Sequence, residues 1–289
     1  MYFIQGDVGA LLNSDDQTRA LKGMSIENKQ LMDKFFSKDE KRRTMFDRIN
    51  CQLAVHYLLR DEITWANFKQ NINMHLRNGG YFLATAFDSQ KIVDLLADKD
   101  RHVSEYTDET GKKKVLFEIV KKYTGTKNDI MGTGNAIDVY MAWISQEGRY
   151  LTEFLVDRRY FEKELLEGCG LELVDTDNFG NQFTVHKNFF DNYAKFEEIE
   201  ETRQFLKNVS DFYKSGEINE GCHIYNSLMR YYIFRKKDGV SKQSRSLERQ
   251  KKDKKSKSKQ SGGASPSSDD SENIEDLEYD FSDNSQFSI

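Results

Sequence analysis

Residues 45–57, MFDRINCQLAVHY, constrain the fold of this chain more than any other stretch. A short strand over 46–52 ends in a polar cluster of Gln52, His56 and Tyr57. A helix is predicted over 62–76, where Ile63, Trp65, Phe68, Ile72 and Leu76 share a compatible face. Gly79 fits the position just after its end. Gly79-Gly80 then launches an apolar, aromatic strand over 81–87. Strand, helix and buried strand in this order predict an α/β sheet. Ligands of open α/β sheets bind beyond the carboxyl ends of the strands. Asp7, the Gln52-His56-Tyr57 group and the Thr85-Phe87-Asp88 group all stand at such ends.

The remaining elements are read in the same way. A strand over 2–5 stops at Gly6-Asp7, and a helix covers 25–36 with Leu31, Met32, Phe35 and Phe36 at helical spacing. Further helices are predicted over 90–96, over 153–167 with its end at Gly168, and across most of 189–213. Residues 103–123 read as a hairpin turning at Thr110-Gly111-Lys112, and 136–143, 171–175 and 228–235 read as strands. There is no internal repeat, and the one proline is Pro266.

Composition changes near residue 236. The whole chain of 289 residues is 37% hydrophobic and 31% charged, but much of that polarity lies beyond 236. Its net charge of −5 conceals a basic tract over 241–260 and an acidic one over 269–283. Neither tract can bury enough apolar surface to fold, so 239–289 is read as a disordered tail. The lysines between 242 and 259 could engage RNA phosphates, act as a nuclear localisation patch, or simply be solvated.

Three cysteines, Cys51, Cys169 and Cys222, form no CxxC pair. Their odd number suggests a reducing compartment and argues against a disulfide framework or a structural zinc site. The N-terminus has no basic region ahead of a long apolar run, so it does not read as a signal peptide. No apolar run approaches the roughly 20 residues of a membrane span. The chain reads as soluble and intracellular.

Each singled-out residue also has a plain structural role open to it. His56-Tyr57 could be a packed corner after a strand, Asp7 a turn residue, and Cys51 a small buried hydrophobe. Glu153 or Thr152 could cap a helix start, and Tyr231 lies in an aromatic strand that would normally be core.

Six motifs in order point further. They are Phe3-Ile4-Gln5-Gly6-Asp7; Phe46-Asp47 with Cys51-Gln52-Leu53-Ala54-Val55-His56-Tyr57; Gly79-Gly80-Tyr81-Phe82-Leu83-Ala84-Thr85; Gly134-Asn135-Ala136-Ile137-Asp138-Val139-Tyr140; Glu153-Phe154-Leu155-Val156; and Tyr231-Tyr232-Ile233-Phe234. Across about 1–236 the chain resembles the mRNA cap guanine-N7 methyltransferases of the kind fused into the capping enzymes of large DNA viruses. The resemblance implies a Rossmann-like, class I S-adenosylmethionine-dependent methyltransferase fold over 1–238. Asp7 would hold the adenosine end of S-adenosylmethionine, with Gln52 and Tyr57 lining the same site. His56, Glu153 and Tyr231 would surround the cap guanine. Neither an acid–base residue nor a metal is implied, because guanine N7 carries a free lone pair. Capped RNA is the implied partner, together with other capping-enzyme domains or subunits; neither membrane nor DNA is. The implied setting is the cytoplasm (viral factory), the nucleus or the virion.

The chain departs from the family pattern at its start. The family begins with a strand and a glycine-rich loop for the methionine part of the cofactor, then a second strand ending in an acidic residue, and this sequence has neither. The domain is therefore expected to be N-terminally incomplete, through truncation or because another chain supplies the rest. In isolation it is expected to bind S-adenosylmethionine poorly. A catalytically silent subunit or relic, binding or stimulating a capping enzyme, is the alternative.

Overall fold

The computed structural model describes residues 2–125, 130–211 and 216–238. The chain divides into a unit Met1–Gly239 and a unit Val240–Ile289. The second lies outside the described residues, as do the expectations for the charged tail. In chain order the elements are α1 (Ser14–Ala20), α2 (Ile26–Phe35), β1 (Phe46–Gln52), α3 (Val55–Leu58), α4 (Glu62–His75), β2 (Leu76–Phe87), α5 (Ser89–Leu96), β3 (Arg101–Thr107) and β4 (Lys113–Lys121). They continue with β5 (Ala136–Met141), β6 (Leu151–Phe154), α6 (Arg158–Cys169), β7 (Leu171–Asn178), α7 (Phe179–Phe196), α8 (Glu200–Asp211), α9 (Glu217–Ser227) and β8 (Met229–Lys236).

Two four-stranded sheets result. The first has the order β1-β2-β8-β7, with β1 parallel to β2 and the other pairs antiparallel. Its register sets Gln52 beside Thr85 and Phe82 beside Phe234. The parallel pair is connected through α4, as a βαβ crossover requires. Trp65, Phe68 and Ile72 of α4 and Phe161 and Leu165 of α6 bury one core against Phe82, Ala84, Tyr232 and Phe234 of the sheet. The aromatic rings meet at 5.1–6.1 Å, Phe161 edge-on to both Tyr232 and Phe234. The second sheet, β3-β4-β5-β6, is antiparallel throughout. Phe117, Ile119 and Val139 of that sheet bury a second core with Ile92 of α5 and Tyr225 of α9.

Asp88 joins the two sheets. It follows the last residue of β2, bridges to Val156, and its carboxylate accepts from Gln90 N at 3.0 Å as the cap of α5. The other carboxylate oxygen accepts from Arg230 Nε of β8 at 2.7 Å.

Four expectations are corrected. Residues 2–5 form no strand: among the described residues, none of the strands pairs with them. Gln5 is instead tied to α2, its N–H donating to Asn28 Oδ1 and its carbonyl accepting from Asn28 Nδ2, both at 2.8 Å. The helix expected over 153–167 begins at Arg158, because residues 151–154 pair with β5 and Asp157 supplies the cap to Tyr160 N. It ends not at Gly168 but at left-handed Gly170 (φ +66°), whose N–H reaches the Leu165 and Leu166 carbonyls. Gly79 does not follow a helix end. Helix α4 runs directly into β2, and Gly79 (φ +74°) lies inside that strand. A Cβ at the next residue, Gly80, would stand only 2.9 Å from the Asp47 and Arg77 carbonyl oxygens, so a side chain is excluded where the register with β1 shifts.

Candidate functional site

β1 delivers the chain to a tight turn at its carboxyl end. Leu53 takes a left-handed conformation (φ +49°), uncommon for a residue with a branched side chain. Its N–H is shared between the Thr85 carbonyl (3.1 Å) and Thr85 Oγ1 (2.9 Å), which holds the turn against β2. The single turn of α3 follows and buries His56 beside Val55 and Leu58. Held strain of this kind costs about 1–3 kcal/mol and is a feature of ligand sites.

Opposite this turn, β6 of the second sheet presents Glu153. His56 Nε2 and Glu153 Oε2 stand 3.4 Å apart, and both residues are 4% exposed. The pair lacks hydrogen-bond alignment: neither His56 nitrogen nor Glu153 Oε2 has a hydrogen-bond partner among the described residues. The Tyr57 hydroxyl faces the Glu153 carboxylate, and the Tyr57 ring tilts over His56, centroids 4.2 Å apart. Burial pushes the Glu153 carboxyl up to about 7 and the His56 imidazole down to about 4. Burial, and next the Glu153 charge, push the Tyr57 hydroxyl up to about 12. The low dielectric thus holds His56 neutral at neutral pH and leaves Glu153 poised between its two forms.

These residues line a cavity of about 530 Å³. Leu53, His56, Tyr57 and Glu153 form one side; Met141 and Leu151 of the second sheet, with Trp143 and Ile144 on the turn that leaves β5, form another. Phe179, Cys222, Tyr225, Asn226 and Met229 close the rest, from α7, α9 and β8. The walls are mainly apolar and aromatic, with a few convergent polar groups, the general constitution of a small-molecule site. Unpaired buried polar atoms cost about 1–3 kcal/mol each, so His56 and Glu153 favour an occupant that offers both a donor and an acceptor.

Of the residues singled out in the sequence, His56, Tyr57 and Glu153 come together here. Gln52 stands just outside, exposed at the end of β1, its Nε2 donating to Asn50 Oδ1 at 2.5 Å. Asp7 is elsewhere: its carboxylate accepts from Gly9 N at 2.8 Å, and its own N–H donates to Gln17 Oε1 at 2.7 Å. Tyr231 sits on β8, across from Thr85 and Asp177, and donates to Asp175 Oδ2 at 2.9 Å. It does not line the cavity, although Met229, two residues earlier on the same strand, does. Thr85 holds the Leu53 turn, Phe87 lies in the second core and Asp88 is the sheet junction.

Sequence reasoning missed Trp143, Tyr225 and the α9 wall. Ile218, Cys222 and Tyr225 do recur at helical spacing, a signal that would have marked α9. All three cysteines are free thiols; Cys51 packs half-buried against the first core, and burial pushes its thiol up to about 11. Among the described residues, no group of three or more His, Cys, Asp or Glu side chains could hold a metal ion. None of their helices is long and apolar enough to cross a membrane.

Residues 25–207 match the family model of the mRNA (guanine-N(7))-methyltransferase domain. That stretch carries His56, Tyr57, Trp143 and Glu153 but not Asp7, α9 or Tyr231. A probable mRNA-capping enzyme of Acanthamoeba polyphaga mimivirus is 38% identical over 252 residues, which are 83% of this chain and 21% of that protein. The chain therefore spans about a fifth of the length of that relative. Among solved structures, an S-adenosylmethionine-dependent methyltransferase from Clostridium acetobutylicum overlaps 68% of this chain and 60% of its own at 14% identity and a TM-score of 0.34. The glycopeptide N-methyltransferase MtfA complexed with (S)-adenosyl-L-homocysteine overlaps 81% and 60% at 10% identity and a TM-score of 0.32.

Proposed function

This chain belongs to the mRNA (guanine-N(7))-methyltransferase domain family, and we propose that its cavity holds the guanine of a GpppN cap while the N7 atom is methylated. The observation that carries this reading is Glu153, buried, with Oε2 unpaired and 3.4 Å from His56 Nε2. The base-pairing edge of guanine offers two donors, N1–H and the 2-amino group, beside one acceptor, O6. An ionised Glu153 accepts from the donors, and neutral His56 donates a ring N–H to the acceptor.

No base is needed, since N7 has a lone pair and loses no proton. The residues instead fix the ring, exclude water and favour the positive charge that builds on it. Glu153 meets the last requirement with its carboxylate, and the Tyr57 ring offers the purine a face.

S-adenosylmethionine is the methyl donor and supplies an electrophilic methyl group on sulfur. The described residues fit it only in part: Gln52 and Tyr57 stand at the carboxyl end of β1, whereas the Asp7 carboxylate is turned to the Gly9 backbone. We therefore assign to this chain the guanine side of the site, and to further capping-enzyme domains or subunits the completion of the donor side. The mimivirus relative supports a setting in the cytoplasm of an infected cell. A methyltransferase-like subunit that binds caps without methylating them is the second reading, favoured by the displacement of Asp7.

The test is transfer of labelled methyl from S-adenosylmethionine to GpppG-capped RNA, with the labelled position mapped. The reading requires label at guanine N7 and a rate about 100-fold or more lower in Glu153→Ala. A normal rate in that variant would remove Glu153 from the site. Cap binding without transfer would select the second reading.

A further inference from the structure

We propose that Trp143 stacks on the bound guanine and gives the cavity its preference for the cationic, N7-methylated ring. The proposal rests on the cap reading above and deepens it.

Trp143 sits on a turn that leaves β5, closed by Ile144 N and Ser145 N donating to the Met141 carbonyl at 3.1 and 2.8 Å. The chain has two tryptophans. Trp65 is 0% exposed in the first core, whereas Trp143 is 47% exposed while lining the cavity. So large an apolar side chain, half-exposed at a pocket, is an anchor surface rather than core filling. Its orientation is braced. The Tyr225 ring meets it at 5.0 Å and 86°, and Tyr225 is held in turn by Phe87 (5.4 Å), Phe117 (5.3 Å) and a hydroxyl contact to Met141 Sδ (2.8 Å). The bracing helix α9 lies beyond the residues that match the family model.

The chemistry follows from the reaction. Methylation converts a neutral guanine into a ring bearing a positive charge, and indole is the side chain whose face attracts a cation most strongly. An indole face therefore binds the methylated ring, and the partly charged ring on the way to it, more tightly than the substrate. An interaction that strengthens as charge builds raises the rate of transfer rather than merely the affinity. Glu153 acts in the same direction from the ring's edge.

The experiment titrates GpppG and its N7-methylated form into the full chain, following tryptophan fluorescence and calorimetric heat together. Because Trp65 is buried, quenching reports on Trp143. The proposal predicts quenching by both compounds and tighter binding of the methylated one, by a few-fold to about thirtyfold. Trp143→Leu, which keeps apolar volume without a π face, loses both the quench and the preference. Trp143→Phe keeps part of the preference, and decides the matter if the leucine variant does not fold. Variants that discriminate between the two compounds as the wild type does would overturn the proposal and leave the cap reading standing. Absence of heat from either compound with wild-type protein would overturn the cap reading, and this proposal with it.

Discussion

Glu153 is buried with its carboxyl raised to about 7 from an ordinary 4.5, so between those values the folded chain keeps a proton that the unfolded chain has released. Its contribution to stability is present at low pH and is lost as pH rises through about 7. His56 works in the opposite sense, its imidazole lowered from 6.5 to about 4. Its contribution is present above 6.5 and is lost as pH falls through about 4. The two slopes largely offset each other between 4.5 and 6.5. Glu153→Gln removes one of them, so above pH 7 it should raise the melting temperature while weakening cap binding. The gain is on the order of 3 kcal/mol at most and vanishes by pH 4.5. Thermal unfolding across pH 4–9 reads this directly; a lower melting temperature for Glu153→Gln at pH 8 would show that Glu153 is a structural group. Ionised Glu153 is also the form that accepts from guanine. Methyl transfer should therefore rise with a midpoint near pH 7, a limb that Glu153→Gln flattens at a low rate.

At the scale of elements, the cavity exists because α9 lies flat on the second sheet. Gly221 permits this: a Cβ there would run into Leu116 Cδ2 and stand only 2.6 Å from Ser104 Oγ. Gly221→Ala should lift the helix, cost about 1–3 kcal/mol in urea unfolding, and alter the near-ultraviolet circular dichroism of the Trp143–Tyr225 pair. An unchanged spectrum and midpoint would mean that α9 does not set the wall. Local signals made several elements legible. Strand β1 falls where its sequence predicts, and the β3–β4 hairpin turns at Gly111 (φ +83°), where Asp108 and Lys112 close the loop. Glu153 was harder to place. A Thr-Glu pair before an apolar run fits a helix start as well as a strand, and only pairing with β5 decides between them. The same holds for Leu53, whose left-handed turn depends on Thr85, 32 residues away.

At the scale of the molecule, the α/β class was legible, and the order of motifs paired His56 with Glu153; that Tyr57, expected on the cofactor side, lines the same cavity was not legible. The division into two sheets was not, because strand register is set by partners distant in sequence. Nor were the positions of Asp7 and Tyr231, which depend on what each meets in three dimensions. Asp88 holds the two sheets in relation, and Arg230, whose side chain is 15% exposed, relies on it. Asp88→Ala would leave that guanidinium unpaired at a cost of about 3 kcal/mol or more and loosen β6 against α3. Chemical denaturation measures the first effect and cap affinity the second; wild-type stability would contradict the account of the junction. The central claim is that the buried Glu153 reads guanine, and the most direct measurement is calorimetric binding of GpppG against ApppA to wild type and Glu153→Gln. Adenine lacks the N1–H and the 2-amino group, so the account predicts a preference for GpppG of about tenfold or more in wild type, lost in the variant. Equal affinities in wild type, or a preference that survives in Glu153→Gln, would contradict it.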